Sequence, residues 1–224
     1  IYITNAAIAD WMCVLAVNDP EAGYGGFSQI IVPTDSPGFS YQLLDKIGNR
    51  GSDTGQLFFE DVRVPVANTI GEIGRGFQQQ MQQFQDERLI ACIMANAGAE
   101  ILWEATKRYC EERILFGKPL SKMQVTQFKF VEMMTQIVAA KELTYACVRK
   151  RLANQDATRE ISMAKLFSGR MSRFVSDECL QLHGGYGYMR ESAAGRSFVD
   201  SRLISIGGGA DEVMIHYLAK MFGL

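Results

Sequence analysis

The sequence predicts an α+β protein that is mostly α-helical, with an antiparallel sheet near its start and a bundle of long helices after it. Two observations predict this class. Short β-rich runs separated by turn-forming residues fill residues 1 to about 73, and apolar residues then recur every three or four positions to the end of the chain. We therefore expect two domains, at residues 1–73 and 74–224.

Four short runs in the first part are dominated by apolar, β-branched and aromatic residues. They read IYIT, WMCVLAV, FSQIIVP and QLFFEDVRVP, and the segments between them include NDPEAGYGG, TDSPG and GNRGSDTG, which are rich in turn formers. Short strands joined by such turns are typical of antiparallel pairing. We expect part of an antiparallel sheet here.

The second part contains three segments with the apolar spacing of long helices. They read GFQQQMQQFQDERLIACIMANAGAEILWEATKRYCEER, KMQVTQFKFVEMMTQIVAAKELTYACVRKRLAN and ATREISMAKLFSGRMSRFVSDECLQLHGG. A short fourth helix is expected at ADEVMIHYLAKMF, where Asp211 can cap the N-terminus. Helices joined by the breaks FGKPLS and NQD form an antiparallel bundle in which each helix buries one apolar stripe.

Composition and charge restrict the classes of function. Of 224 residues, 47% are hydrophobic and 21% are charged, and the formal net charge is −2. This balance is that of a globular protein, and it argues against a nucleic-acid partner or electrostatic binding to anionic membranes. The five cysteines lack CxxC spacing, which favours reduced thiols over disulfides or metal ligation. No run of about 18 apolar residues is present, so we expect no membrane-spanning helix.

Few segments suggest chemistry by themselves, and each has a structural alternative. His183, in LQLHGGYGYM, is either a ring near a ligand or a packing histidine, and the glycines after it can bring backbone N–H groups to a phosphate or a flat ring. Arg113 and Lys118, in RILFGKPL, either meet a diphosphate or complement a helix C-terminus. The FQDERL segment, with two carboxylates and an arginine, is by default a charged cluster on a solvent-facing surface.

The order of these motifs resembles the flavin-dependent acyl-CoA dehydrogenase family over the whole chain. YITN is similar to a strand motif of that family, RGSDTGQLFFEDVRVP to its middle-domain hairpin, EERILFGKPL to its Arg-x-x-Phe-Gly-Lys element, QLHGGYGYM to its glycine turn, and SIGGGADEVM to its last active-site loop. The resemblance implies an N-terminal helical domain that is absent here, a partial antiparallel β-barrel-like middle domain and a C-terminal four-helix bundle. Because the chain begins within a strand-like run without an initiator methionine, we expect a fragment.

The resemblance also implies bound FAD and the residues that hold it. Thr4 matches a threonine near flavin N5, and Tyr2 matches an aromatic residue that lies against the flavin ring. Arg113 matches an arginine that reaches the diphosphate of FAD in a neighbouring subunit. The other FAD contacts expected from the resemblance are Phe116, Gln124, Gln181, Gly184, Gly185 and Glu212. Since these contacts join protomers in the family, the resemblance implies a homotetramer, and no metal is expected.

The catalytic base is the point at which the sequence departs from most of the family. Most members carry it as the glutamate of a Tyr-Glu-Gly-Thr loop, but here Gly208 stands at that position and Ala210 replaces the threonine. Isovaleryl- and long-chain-type members instead carry the glutamate on the first bundle helix, opposite a loop glycine, in a context similar to the DERL segment here. Two carboxylates in one pocket would disturb each other's ionisation, so a glutamate at 87 without one at 208 is consistent. We therefore predict Glu87 as the base.

Substrate contacts are expected at Gln85, Arg88, Gly207 and Gly208. The function that the resemblance implies is dehydrogenation of an acyl-CoA to the trans-2-enoyl-CoA, with electrons passed to an electron-transfer flavoprotein. Two alternatives stay open, which are an acyl-CoA oxidase that uses O₂ and a noncatalytic flavin-binding scaffold. The implied location is the mitochondrial matrix in a eukaryote or the cytoplasm in a bacterium, and the length of the acyl chain is not predicted.

Overall fold

The computed structural model describes residues 1–224 and is 59% helical. It confirms the predicted class, since small antiparallel sheets precede a helical bundle, and the sheets do not close into a barrel. Contacts divide the chain into two compact units, which we call the sheet unit, Ile1–Phe84, and the helical unit, Gln85–Leu224. The domain boundary that the sequence suggests near residue 73 stays a prediction.

The sheet unit contains two three-stranded antiparallel sheets, with strand orders β1-β5-β4 and β2-β3-β6. The strands are β1 (Ile3–Thr4), β2 (Trp11–Val17), β3 (Phe27–Pro33), β4 (Phe39–Leu43), β5 (Thr54–Phe59) and β6 (Thr69–Ile70). Strand β4, with the sequence FSYQL, was not predicted, because four of its five residues are exposed and it carries no clear apolar alternation. The QLFFEDVRVP run ends as a strand at Phe59, shortly before Asp61 takes a positive φ of 51°.

The first turns of a long helix, α1 (Gly76–Glu112), belong to the sheet unit. The ring of Phe77 lies 4.4 Å from the ring of Tyr24 and 5.8 Å from that of Phe27, between ring centroids. The side-chain amide of Gln29 donates to the Gln80 amide oxygen at 3.1 Å. Aromatic contacts and a buried hydrogen bond therefore fix where the helix starts.

The helical unit continues α1 and adds four further helices, α2 (Gln124–Leu152), α3 (Thr158–His183), α4 (Ala193–Ser201) and α5 (Asp211–Met221). A hairpin of β7 (Ile114–Leu115) and β8 (Lys118–Pro119) joins α1 to α2. The three long helices and the short last helix agree with the sequence prediction. Helix α4 was not predicted. Ser192 caps it by accepting from the Gly195 N–H.

Apolar side chains of α1, α2 and α3 form the core of the helical unit in two clusters. The larger is centred on Met133, Ile137 and Val175, and the smaller on Leu89, Cys92 and Ile161. All five cysteines are free thiols, and four of them are buried. Burial raises the pKa of the Cys92 thiol to about 12, so this residue behaves as a small apolar side chain.

One ion pair between α2 and α3 predicts a dependence of stability on pH. The Lys150 ammonium donates to the Glu160 carboxylate at 2.7 Å and, against a smaller effect of burial, lowers the pKa of Glu160 to about 2. Because glutamate in an unfolded chain titrates near pH 4.3, stability from this pair is present above about pH 4.3 and is lost as the pH falls toward about 2.

We expect Lys150→Met to lower the free energy of unfolding by about 1–2 kcal/mol at neutral pH and to reduce its dependence on pH between about pH 5 and 2.5. Urea unfolding of the full-length protein at a series of pH values measures both effects. Identical pH profiles for the wild type and the variant would contradict the role of this pair.

Helix α1 also meets, by length and composition alone, a criterion for crossing a membrane, with a mean hydropathy of 1.2 in its most apolar stretch. That stretch is 39% buried, and core helices of soluble proteins meet the same criterion. This is weak evidence for a membrane span, and the expectation that there is none stays a prediction.

Candidate active site

The DERL segment lies on α1, with its two carboxylates exposed and its arginine and leucine buried. Leu89 and Arg88 are buried, whereas Asp86 and Glu87 are exposed. The Asp86 carboxylate pairs with the Arg151 guanidinium at the end of α2, with 2.6 Å between Oδ1 and Nη2. The two adjacent carboxylates therefore have different neighbours. Asp86 pairs with Arg151 on α2, and the charge of Glu87 opposes the lowering of the Arg88 pKa by burial.

Arg88 connects the DERL segment to the three consecutive glycines near the end of the chain, which we call the glycine loop (Gly207, Gly208 and Gly209). Its Nε–H donates to the Gly208 carbonyl oxygen at 2.9 Å across 120 residues of sequence. Burial lowers the pKa of the Arg88 guanidinium, against smaller opposing effects of Tyr217 and Glu87. The structure thus brings the helix segment that carries Glu87 to the loop in which the sequence lacks a glutamate.

The glycine loop takes a backbone conformation that favours glycine at two successive positions. Gly208 has a φ of 64° and Gly209 a φ of 107°. A Cβ at Gly208 would meet no atom within 4 Å, whereas a Cβ at Gly209 would lie 2.6 Å from Cε of Met214 and 3.5 Å from Nη2 of Arg88. Gly208 therefore faces open space, and Gly209 is confined by buried side chains.

The different surroundings of Gly208 and Gly209 predict unequal losses of stability when each glycine is replaced with alanine. We expect Gly208→Ala to lower the free energy of unfolding by about 1 kcal/mol, because only the left-handed backbone is strained. We expect about 2–3 kcal/mol for Gly209→Ala, which adds a steric conflict with Met214 to the strain. Denaturant unfolding of both full-length variants measures the ranking, and an equal or reversed ranking would contradict this geometry.

A fully buried lysine that the sequence analysis did not identify also contacts the glycine loop. The Lys165 ammonium, on α3, donates to the carbonyl oxygen of Gly209. In the sequence it stands in MAKLFS, where a single lysine within a helical pattern is normally assigned to the solvent-facing side. Its apolar neighbours on both sides were the one available signal.

Asp211 does not cap α5, and that prediction was wrong. The helix begins at Asp211 with Ala210 at the N-cap position, and no side chain caps it. The Asp211 carboxylate is buried and lies 3.8 Å from Nε of Arg170 and 3.9 Å from Nη1 of Arg173. The two arginines of α3 draw the side chain away from the helix end, while Glu212, in the same first turn, stays exposed.

The hairpin between α1 and α2 and the residues beside it include three of the predicted FAD contacts, of which Arg113 is the one predicted to reach the diphosphate. Phe116 and Gly117 form its two-residue turn, with φ values of 51° and 77° as in hairpins with mirror-image turns. The Phe116 side chain is 96% exposed, although its backbone conformation is unusual for an aromatic residue. Arg113, just before the hairpin, is exposed and makes no ion pair, and Gln124 is an exposed first residue of α2.

The glycine turn follows α3 at the same end of the helical unit. Gly184 has a φ of 58° and its N–H bonds to the Gln181 carbonyl, and a Cβ at Gly184 or Gly185 would meet no atom within 4 Å. The Tyr109 hydroxyl, one turn before Arg113, donates to the His183 carbonyl at 3.4 Å. One end of the helical unit thus combines exposed backbone, open space, an arginine without an ion pair and an exposed ring. This combination fits a flat ring joined to a diphosphate.

His183 has the geometry of a packing residue, which was one of the two interpretations left open. Its ring stacks on that of Tyr109 at 4.3 Å, and its Nδ1 lies 2.8 Å from the Cys179 carbonyl oxygen. The ring contact packs the C-terminal end of α3 against α1, and the contact with the Cys179 carbonyl lies within α3 and orients the ring. No group of three or more His, Cys, Asp or Glu side chains is arranged to hold a metal ion.

The remaining predicted residues lie in other surroundings. In the sheet unit, Thr4 is exposed in β1 opposite Thr54, and Tyr2 is 74% exposed with a φ of 62°. In the helical unit, Gln85 is partly buried, and its side-chain oxygen is buried without a hydrogen-bond partner. Buried acceptors in native proteins usually have a hydrogen-bond partner, and either a water or a ligand can supply one.

The chain belongs to the acyl-CoA dehydrogenase family, whose members are FAD-dependent oxidoreductases. Its residues 1–62 match the family model "Acyl-CoA dehydrogenase, middle domain", and residues 74–222 match "Acyl-CoA dehydrogenase, C-terminal domain". This finding confirms the family expected from the sequence, and the expected enzyme class and FAD cofactor are those of the family.

Individual relatives agree with this assignment. The chain is 35% identical to the mitochondrial long-chain specific acyl-CoA dehydrogenase of Sus scrofa, covering 98% of this chain and 52% of the relative. It is 35% identical to the acryloyl-CoA reductase (NADH) of Anaerotignum propionicum, covering 95% and 54%. The crystal structure of an acyl-CoA dehydrogenase from Geobacillus kaustophilus superposes with a TM-score of 0.97 at 37% identity, covering 100% of this chain and 60% of that one. The chain thus spans about half the length of the curated relatives it matches.

Proposed function

We propose that the protein of which this chain is part dehydrogenates an acyl-CoA to the trans-2-enoyl-CoA, with Glu87 as the catalytic base. The observation that carries the proposal is the bond from Arg88 to the Gly208 carbonyl, next to Glu87. It joins the helix segment that carries Glu87 to a loop without a glutamate.

The chemistry requires a well-placed carboxylate, because the α-proton of a thioester is only weakly acidic. The Glu87 carboxylate takes this proton, and the electron pair of the broken C–H bond becomes the α,β double bond. Bound FAD supplies the acceptor for the β-hydrogen and its electron pair.

The neighbours of Glu87 shape the site rather than transfer protons. Arg88 holds the Gly208 carbonyl, and a Cβ at Gly208 would meet no atom within 4 Å, which leaves room for a thioester to approach this backbone. The unsatisfied side-chain oxygen of Gln85 can accept from a donor on the CoA portion of the substrate. These roles are proposals that follow from the location of each group.

The residues proposed to hold FAD are the ones assigned from the sequence, and their locations support an assembly. Arg113 follows Glu87 by 26 residues along α1, a separation of about 39 Å. The proposed base, on the twelfth residue of α1, and the proposed diphosphate contact, just after the end of this helix, therefore lie far apart. A site that combines both groups needs residues from two protomers, as expected for the proposed homotetramer.

Exposed apolar side chains on α1 give further support for assembly. Ile90, Ile93, Met94 and Ile101 are between 46% and 71% exposed and follow helical spacing. Contiguous apolar surfaces of this kind are typical of contacts with other protein segments. We propose an electron-transfer flavoprotein as the electron acceptor, and the mitochondrial matrix or the bacterial cytoplasm as the location, according to the source of the chain.

Two related activities use the same groups. An acyl-CoA oxidase differs in the access of O₂ to the reduced flavin, and a reductase, as one relative is named, runs the reaction toward the saturated acyl-CoA. A noncatalytic scaffold is disfavoured because Glu87 is present and the adjacent Arg88 bonds to the glycine loop.

The test uses the full-length protein with bound FAD, mixed without oxygen with straight and branched acyl-CoAs from butyryl- to palmitoyl-CoA. We expect loss of the visible absorbance of the flavin with at least one of them. No loss with any acyl-CoA would overturn the proposal. Rapid recovery of the absorbance in air would identify an oxidase, and flavin reduction by NADH with turnover of an enoyl-CoA would identify a reductase.

A further inference from the structure

Two buried cations converge on the glycine loop from different helices. Lys165, in the middle of α3, has no exposed surface and donates to the Gly209 carbonyl oxygen, while Arg88, on α1, donates to the Gly208 carbonyl oxygen at 2.9 Å. The acceptors are successive backbone groups. Each cation therefore holds one of two adjacent peptide planes.

The conformation of the loop depends on these two bonds. On the N-terminal side, the Gly207 N–H bonds to the Leu203 carbonyl at 2.8 Å, and on the C-terminal side the Ala210 carbonyl accepts from the Met214 N–H at 2.9 Å. Between these bonds, Gly208 and Gly209 both have positive φ, and glycine has little intrinsic preference among backbone conformations. The orientation of their two peptide planes is therefore set by Lys165 and Arg88.

Burying a lysine costs free energy of desolvation, and this cost is offset only if the charge of the ammonium strengthens its contact with the carbonyl. Burial lowers the pKa of the Lys165 ammonium, and the nearby charge of Arg88 lowers it further, while Asp211 opposes both effects. Asp211 is itself buried beside Arg170 and Arg173. A neutral donor would satisfy one carbonyl at a smaller desolvation cost, whereas a charged donor binds that carbonyl more strongly.

We propose that Lys165 is a positioning residue that, together with Arg88, fixes the backbone of the glycine loop in the geometry in which Glu87 meets the reacting carbons of the substrate. The inference rests on the proposed function, but it concerns a residue on a third element of the site. The alternative is that Lys165 only fills space in the core of the helical unit, beside α3.

The test compares Lys165→Met with Ile161→Ala in the full-length protein with bound FAD. Met keeps most of the lysine volume and removes its charge and its donor. Ile161 is equally buried, one helical turn earlier on α3, and packs in the smaller apolar cluster rather than against the loop. The control therefore perturbs the same helix without removing a loop contact.

The first measurement is hydrogen–deuterium exchange of a peptide that covers residues 205–212, which needs no substrate. We expect exchange in Lys165→Met to be about 10- to 100-fold faster than in the wild type, as for the loss of one charge-assisted bond, and little changed in Ile161→Ala. The second is the rate of flavin reduction at saturating acyl-CoA, which we expect to fall by about tenfold in Lys165→Met with less than about a twofold change in substrate Kd.

Two results would overturn the inference. Loop exchange in Lys165→Met could equal that of the wild type, or both variants could lose loop order and reduction rate in proportion to their loss of Tm. If Lys165→Met does not retain FAD, Lys165→Gln, which keeps a neutral donor, is compared with Ile161→Ala by the same criteria. Failure of the wild type to reduce its flavin would overturn the proposed function, while the exchange comparison would still decide the role of Lys165.

Discussion

Replacing Glu87 with glutamine is expected to slow anaerobic flavin reduction by about 10²–10⁴-fold at saturating acyl-CoA. Glutamine keeps the size and polarity of the side chain but cannot take a proton, so it removes the contribution of a general base. Substrate affinity and FAD content should change little. Stopped-flow absorbance of the flavin in the full-length protein measures the rate directly.

Asp86→Asn is the matched control, since it neutralises the adjacent carboxylate on the same helix. Asp86 pairs with Arg151 on the surface, and an exposed pair of this kind contributes only about 0–1 kcal/mol to stability. We expect its reduction rate to stay within about threefold of the wild type. If Glu87→Gln reduces its flavin as fast as Asp86→Asn, the base lies elsewhere.

The second large effect is expected from Arg113→Met, which should weaken FAD binding by about 10- to 100-fold. A bidentate, charge-assisted contact between an arginine and a diphosphate contributes on the scale of that loss. Reconstitution of the apoprotein with FAD, followed by fluorescence at several salt concentrations, measures the Kd. The variant should also show a weaker salt dependence, because one cation no longer meets the phosphates.

Lys107→Met provides the control for a general loss of positive charge near the end of α1. Lys107 lies 3.8 Å from the Glu111 carboxylate and 5.9 Å from the ring of Trp103, and we assign it no contact with FAD. Its FAD affinity should stay within about twofold of the wild type. Equal losses in both variants would indicate a nonspecific effect of net charge and would remove Arg113 from the proposed site.

The long helices could be predicted because their evidence is local and repeated over many turns. Strand β4 and helix α4 could not, since FSYQL lacks a clear alternation and the signal for α4 is mainly one capping serine. The error at Asp211 also arises because the local sequence does not contain the deciding contacts. A capping preference was outweighed by Arg170 and Arg173, which approach it only in the folded helical unit.

The candidate site shows a similar limit. The order of motifs pointed to the DERL segment and the glycine loop, and their link through Arg88 joins positions 120 residues apart. Lys165 could not be assigned from the sequence, because a lysine in a helical repeat is expected at the surface. Its burial follows from the packing of α3 against the loop, which no local pattern specifies.

The long separation of Glu87 and Arg113 along the direction of α1 has a consequence for the stability of the assembled protein. If each site takes its base from one protomer and its diphosphate contact from another, an isolated protomer holds two incomplete halves and no whole site. Separation of the protomers and release of the cofactor would then occur as one event. Free FAD in the medium would accordingly protect the quaternary structure against dilution.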